Sequence, residues 1–69
     1  MLKKRSFSLS GHRTSIALEP EFWTVLEKAA EARSLSLSAL VIEIDSKRAM
    51  RPLASALRIY ALAAAGAPG

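Results

Sequence analysis

Two short runs near the start of the chain alternate apolar and polar side chains, and the alternation changes parity between them. Phe7 and Leu9 stand among Ser6, Ser8 and Ser10; Thr14, Ile16 and Leu18 then stand among Arg13, Ser15 and Ala17. Period two belongs to extended backbone with one buried face. The apolar positions are odd before Gly11 and even after it. Three arrangements satisfy the pattern. A bulge at Gly11 resets the register, or Ser10-Gly11 turns the chain into a hairpin, or residues 1–10 form a mobile arm in front of a strand.

The rest of the pattern is helical. Glu19-Pro20 opens a first helix, because proline suits the first helical position, where its missing N–H is not needed. Glu21 in the first turn favours the helix dipole. Phe22, Val25, Leu26, Ala29 and Ala30 form its apolar stripe, with Trp23 off the stripe, and the helix ends near Arg33. Trp23 reads as a dimer-core aromatic. Ser36 is the expected N-cap of a second helix, whose stripe is Leu37, Leu40, Val41 and Ile44. Lys47 and Arg48 suit its C-terminal end, and Pro52 stops it by about Met50. Leu53 to Ala65 reads as a third helix with Leu53, Ala56, Leu57, Tyr60, Ala61 and Ala64 on one face and Ile59 and Leu62 off it. A helix so apolar all round is expected to be buried; Leu57 and Tyr60 should be buried against the rest of the dimer. The organisation expected is therefore a basic arm or first strand at 1–10, a core at 11–50, a C-terminal helix at 51–65 and a tail at 66–69.

A chain of 69 residues buries a small fraction of its surface. Small folds add disulfides, a metal or a partner chain. With no Cys and with His12 the only histidine, the partner chain remains, and a hydrophobic content of 51% supports it. A homodimer is expected. The absence of Cys accords with a cytoplasmic protein, and no apolar run approaches the ~18 residues of a membrane span. There is no nucleophile–base pair, metal cluster or glycine-rich phosphate loop, so neither an enzyme nor a cofactor or metal site is expected.

Charge is segregated. Lys3, Lys4, Arg5 and Arg13 occupy residues 1–18 without an acid. All six acids fall between 19 and 45, opposed only by Lys28 and Arg33. Residues 46–69 carry Lys47, Arg48, Arg51 and Arg58, again without an acid. A basic end beside an acidic middle points one face at a polyanion.

The order of basic strand, helix, Ser-rich turn and helix resembles the ribbon-helix-helix family, the Arc and MetJ class of bacterial regulators. The resemblance rests on Arg13-Thr14-Ser15-Ile16-Ala17-Leu18, Phe22 through Ala29, and Leu35-Ser36-Leu37-Ser38-Ala39-Leu40. Gly11-His12-Arg13-Thr14-Ser15-Ile16 with Phe22-Trp23 is similar to a subgroup with an additional C-terminal helix. It implies an α+β, mostly α fold: an intertwined dimer in which each chain gives one strand to a two-stranded ribbon, with two core helices and the third helix added. It implies a DNA-binding repressor with its ribbon in the major groove. Arg13, Ser15 and Ala17 would face bases, although the family usually has a polar residue where Ala17 stands. Lys3, Lys4, Arg5 and His12 would meet phosphates, as would Ser36, Leu37 and Ser38 at the second helix's N-terminus. The family often has glycine where Ser34 stands. Ile16, Leu18, Phe22, Leu26, Leu40 and Ile44 would fill the dimer core. Two other readings are an antitoxin whose third helix binds a toxin, and a protein-interaction module without DNA affinity.

Overall fold

The computed structural model describes residues 1–66, so the expected tail falls almost wholly outside the described residues. Two strands, β1 (Lys3–Leu9) and β2 (His12–Leu18), precede three helices: α1 (Pro20–Ala32), α2 (Leu37–Lys47) and α3 (Leu53–Gly66). Of the three arrangements open for the N-terminal residues, the chain adopts the hairpin. β1 and β2 pair antiparallel, with Leu9 opposite His12, Phe7 opposite Thr14 and Arg5 opposite Ile16. The chain thus has two strands, as the hairpin arrangement allowed, where the family resemblance by itself implied one.

The turn explains the parity change. A loop of two residues places odd positions of β1 across from even positions of β2, so Phe7, Leu9, Ile16 and Leu18 share one face and are all buried. Ser10 and Gly11 both have positive φ, 51° and 80°. That is the requirement of the primed turn whose twist matches paired strands. Gly11 is needed for its backbone: a Cβ there would meet nothing within 4 Å.

α1 begins with Pro20 in its first turn and is held on two sides. Its fully buried residues are Trp23, Leu26 and Ala30, whereas Phe22, Val25 and Ala29 are half-buried. The buried face is therefore rotated from the expected stripe, and Trp23 moves to its centre. The cause is β1. Trp23 Nε1 donates to the carbonyl of Lys3 at 2.8 Å, and its ring lies 5.8 Å from that of Phe7. Trp23 is thus a core aromatic of its own chain.

Two short connections set the remaining helices. After α1, Leu35 N–H donates to Ala30 C=O and Ser34 N–H to Glu31 C=O, with Ser34 left-handed at φ 58°. This pair of bonds is the Schellman ending, usually built on glycine. Ser36 then caps α2 as expected, its Oγ accepting from Ala39 N–H at 3.0 Å. α2 ends at Lys47, a few residues before the expected limit. Beyond it, Arg48 donates through Nε to Asp45 and through Nη1 to the carbonyl of Arg51, which fastens the bend into α3.

α3 buries Ala56, Leu57 and Ala61, keeps Tyr60 half-buried and exposes Ile59 and Leu62. Leu18, Leu26, Leu40, Val41 and Leu57 have no exposed surface in the single chain. Of the residues assigned to a dimer core, Ile16, Leu18, Leu26, Leu40 and Ile44 are buried within one chain. Phe22 is half-buried beneath the Arg58 guanidinium.

Two substitutions test this packing by thermal or urea denaturation. Leu57→Ala should cost about 2–5 kcal/mol, since its cavity is fully enclosed. Ser34→Gly should stabilise by about 1 kcal/mol, because it removes the left-handed penalty at the Schellman position.

Candidate nucleic-acid interface

The register that buries one face of the hairpin defines the other. Lys4 lies opposite Ala17, Ser6 opposite Ser15 and Ser8 opposite Arg13. All six side chains share the face away from the core, and none is apolar beyond the Ala17 methyl. Ser6 and Ser15 are joined across the strands, Oγ to Oγ, at 2.9 Å. Arg13 and Lys4 stand at opposite ends of this face, about 13 Å apart along the strands at ~3.3 Å per residue.

The other expected phosphate-binding residues are distributed differently. Arg5 has the parity of the core face, and its guanidinium is turned to α1. There it pairs with Glu27 at 2.9 Å and covers the Trp23 ring at 5.2 Å. Lys3 has the same parity, with an exposed side chain, and its carbonyl holds Trp23. His12 is exposed beside the turn and opposite Leu9, and its parity directs it to the face opposite that of Arg13. Of the run Lys3-Lys4-Arg5, only Lys4 shares the outer face with Arg13.

Ser36, Leu37 and Ser38 lie at the start of α2. The Ser36 hydroxyl is used on Ala39 N–H, which leaves the first-turn N–H groups of Leu37 and Ser38 as the groups able to meet an anion. Among the described residues no hydrogen bond or ion pair links this turn to the hairpin. Sequence reasoning left Ser6 and Ser8 out of the site. Their signal was present: serines alternating with Phe7 and Leu9 must share the outer face once the turn has two residues.

Ion pairing sorts the cations. Arg5, Arg33, Arg48 and Arg58 are paired with Glu27, Glu43, Asp45 and Glu19. Lys3, Lys4, Arg13, Lys28, Lys47 and Arg51 make no ion pair among the described residues. Glu19 is held below the usual carboxylate range first by its own backbone N–H and then by Arg58. Glu43 is lowered by the two-bond fork of Arg33, at 2.6 and 2.9 Å, and the same guanidinium is raised. Arg33 also reaches the Tyr60 hydroxyl, so this pair ties the end of α1 to α2 and α3.

A family model described as a ribbon-helix-helix domain matches residues 2–65. The chain belongs to that family. The match takes in β1 and α3 as well as the strand and two helices between them. No curated protein and no solved structure matches the chain. Ribbon-helix-helix proteins are in general DNA-binding, as regulators or in antitoxin-type roles, generally bind DNA as dimers, and are typically not enzymes. No helix among the described residues is long and apolar enough to cross a membrane.

The lowered Glu43 has a consequence for pH. A carboxylate with a depressed folded-state pKa stabilises the fold above its ordinary value, and the contribution is lost as pH falls through the lowered value. Melting curves of the natural protein and Glu43→Gln should differ near neutral pH and begin to approach one another as pH falls past the ordinary carboxylate value. They should converge only in stronger acid, below the lowered value, where the folded-state carboxylate is itself protonated.

Proposed function

We propose that this protein is a sequence-specific DNA-binding transcriptional regulator that reads the major groove with the outer face of its hairpin. The observation that carries the reading is the sorting of side chains by the register: the core face takes every large apolar residue of the strands. Arg13, Ser15 and Ala17 stand in a row on the other face, beside Lys4, Ser6 and Ser8. Arg13 can donate two bonds to guanine O6 and N7, Ser15 can donate or accept, and the Ala17 methyl can touch a thymine methyl. Lys4 serves phosphate, as do the N–H groups of Leu37 and Ser38 with the Ser36 and Ser38 hydroxyls nearby.

A homodimer fits the same geometry. In a two-residue hairpin the pair flanking the turn exchanges hydrogen bonds, and bonding then alternates along the ladder. The N–H and C=O of Arg13, Ser15 and Ala17 therefore point out of the free edge of β2. A second copy joined there about a two-fold axis makes a four-stranded sheet. Its two central strands present both Arg13-Ser15-Ala17 rows to the bases, and each β1 lies toward a phosphate wall. The burial of the core within a single chain supports reading this dimer as an edge-to-edge pairing that leaves each hairpin intact.

Sedimentation equilibrium should give twice the monomer mass at micromolar concentration, and Ser15→Pro, which removes an edge N–H, should give a folded monomer. A monomer of the natural protein would count against the dimer.

DNA titrations against a selected site and random DNA separate base reading from phosphate binding. Arg13→Ala should lose about 1–3 kcal/mol of discrimination per protomer. Lys4→Ala should weaken both DNAs alike and lower the salt slope by about one for each phosphate no longer neutralised. Equal loss on both DNAs for Arg13→Ala would defeat the base-reading role.

A further inference from the structure

A groove of about 510 Å³ lies between the C-terminal half of α2 and α3. Its lining includes Ile44, Ala56, Ile59 and Tyr60, and Ile59 remains 46% exposed although it is a large aliphatic side chain. Leu62, one turn further along α3, is 63% exposed. An apolar surface of this kind beside polar residues marks an interaction site.

The charged rim says what the groove fits. Lys47, Arg48, Arg51 and Glu43 border it. Glu43 is neutralised by Arg33, and Arg48 by Asp45. Lys47 and Arg51 have no counter-ion among the described residues, so the net field of the rim is positive. We propose that this groove docks an acidic amphipathic helix of a partner protein, its apolar face on Ile44, Ile59 and Tyr60 and its carboxylates toward Lys47 and Arg51. This is helix-in-groove recognition, with anchors at positions i, i+3 or i+4, and i+7.

The chemistry favours that occupant over two others. DNA would use the cations and leave Ile59 against water. A second copy of this chain has its unpaired acids, Glu21 and Glu31, on α1, whose neighbouring large apolar residues are buried or half-buried. On α2 the exposed Ile42 stands near Glu43 and Asp45, but both of those acids are already paired with arginines, so a second copy lacks a helix face that joins unpaired acids to exposed large apolar side chains. The groove is also separate from the outer face of the hairpin, since none of the residues lining it belongs to β1 or β2.

The test is selection of displayed random 16-residue peptides on the full protein, followed by titration of the enriched peptides. Enriched sequences should combine Asp or Glu with Leu, Ile or Phe at helical spacing. Their affinity should fall at least tenfold on Ile59→Glu and on Arg51→Glu and weaken with added salt. Both altered residues are exposed, and circular dichroism confirms the fold of each variant. Mixed-sequence DNA should bind both variants as it binds the natural protein, so loss of DNA binding through Arg13 and loss of peptide binding here are separate results. Several outcomes would overturn the proposal: no enrichment, enriched peptides without acids, or affinity indifferent to both substitutions. A fall in DNA affinity on Arg51→Glu would assign the groove to nucleic acid, and a halved mass on Ile59→Glu would assign it to a second copy.

Discussion

The fold depends on a turn of two residues. Ser10 and Gly11 reverse the chain with positive φ at both positions, and an L-residue adopts that conformation at a cost that glycine escapes. Because the loop has two residues and not three, Phe7 and Leu9 fall on the same side of the sheet as Ile16 and Leu18. A shift of one residue would have turned one strand's apolar set to water. The same register assembles the opposite face, so the polar row Arg13, Ser15, Ala17 and its partners Ser8, Ser6, Lys4 are as much a product of the turn as the core is.

The core closes because the hairpin and α3 cover α1 from different sides. Trp23 is the joint on the hairpin side. Its ring lies by Phe7, its indole N–H ends on a β1 carbonyl, and the Arg5 guanidinium lies over it on its way to Glu27. A buried indole is costly unless its N–H is satisfied, and β1 supplies the acceptor. On the α3 side, Arg58 crosses the Phe22 ring and pairs with Glu19 at the start of α1. Both arrangements place an arginine stem and charge over an aromatic face, covering apolar surface while the charge stays near water.

Among the described residues, ion pairing separates structural cations from those without a counter-ion. Exposed pairs add little stability, yet they decide where positive charge remains available. Arg5, adjacent in sequence to Lys4, is committed to α1, while Lys4 remains on the outer face. Arg48 is committed to the bend into α3, while Lys47 and Arg51 keep their charge beside an apolar groove. The basic ends of the sequence thus become two separate basic surfaces, one on the hairpin and one between α2 and α3.

The sequence alone determined the elements whose signals are local. Pro20, the Ser36 cap, Pro52 and the apolar spacing located three helices closely, since helix periodicity and capping act within a few residues. The alternation around Gly11 identified extended backbone and both apolar sets, and placed Arg13, Ser15 and Ala17 on one face. It left hairpin, bulge and arm open, because all three accommodate the parity change and only pairing energy distinguishes them. Tertiary structure decided the rest. It turned α1 so that Trp23 became its centre, because the cover supplied by β1 is absent from the helix's own periodicity. It divided Lys3-Lys4-Arg5 between two faces, because the direction of each side chain follows from strand register and not from charge. And it closed the core within one chain, because the second strand and the third helix bring covering surface from segments distant in sequence.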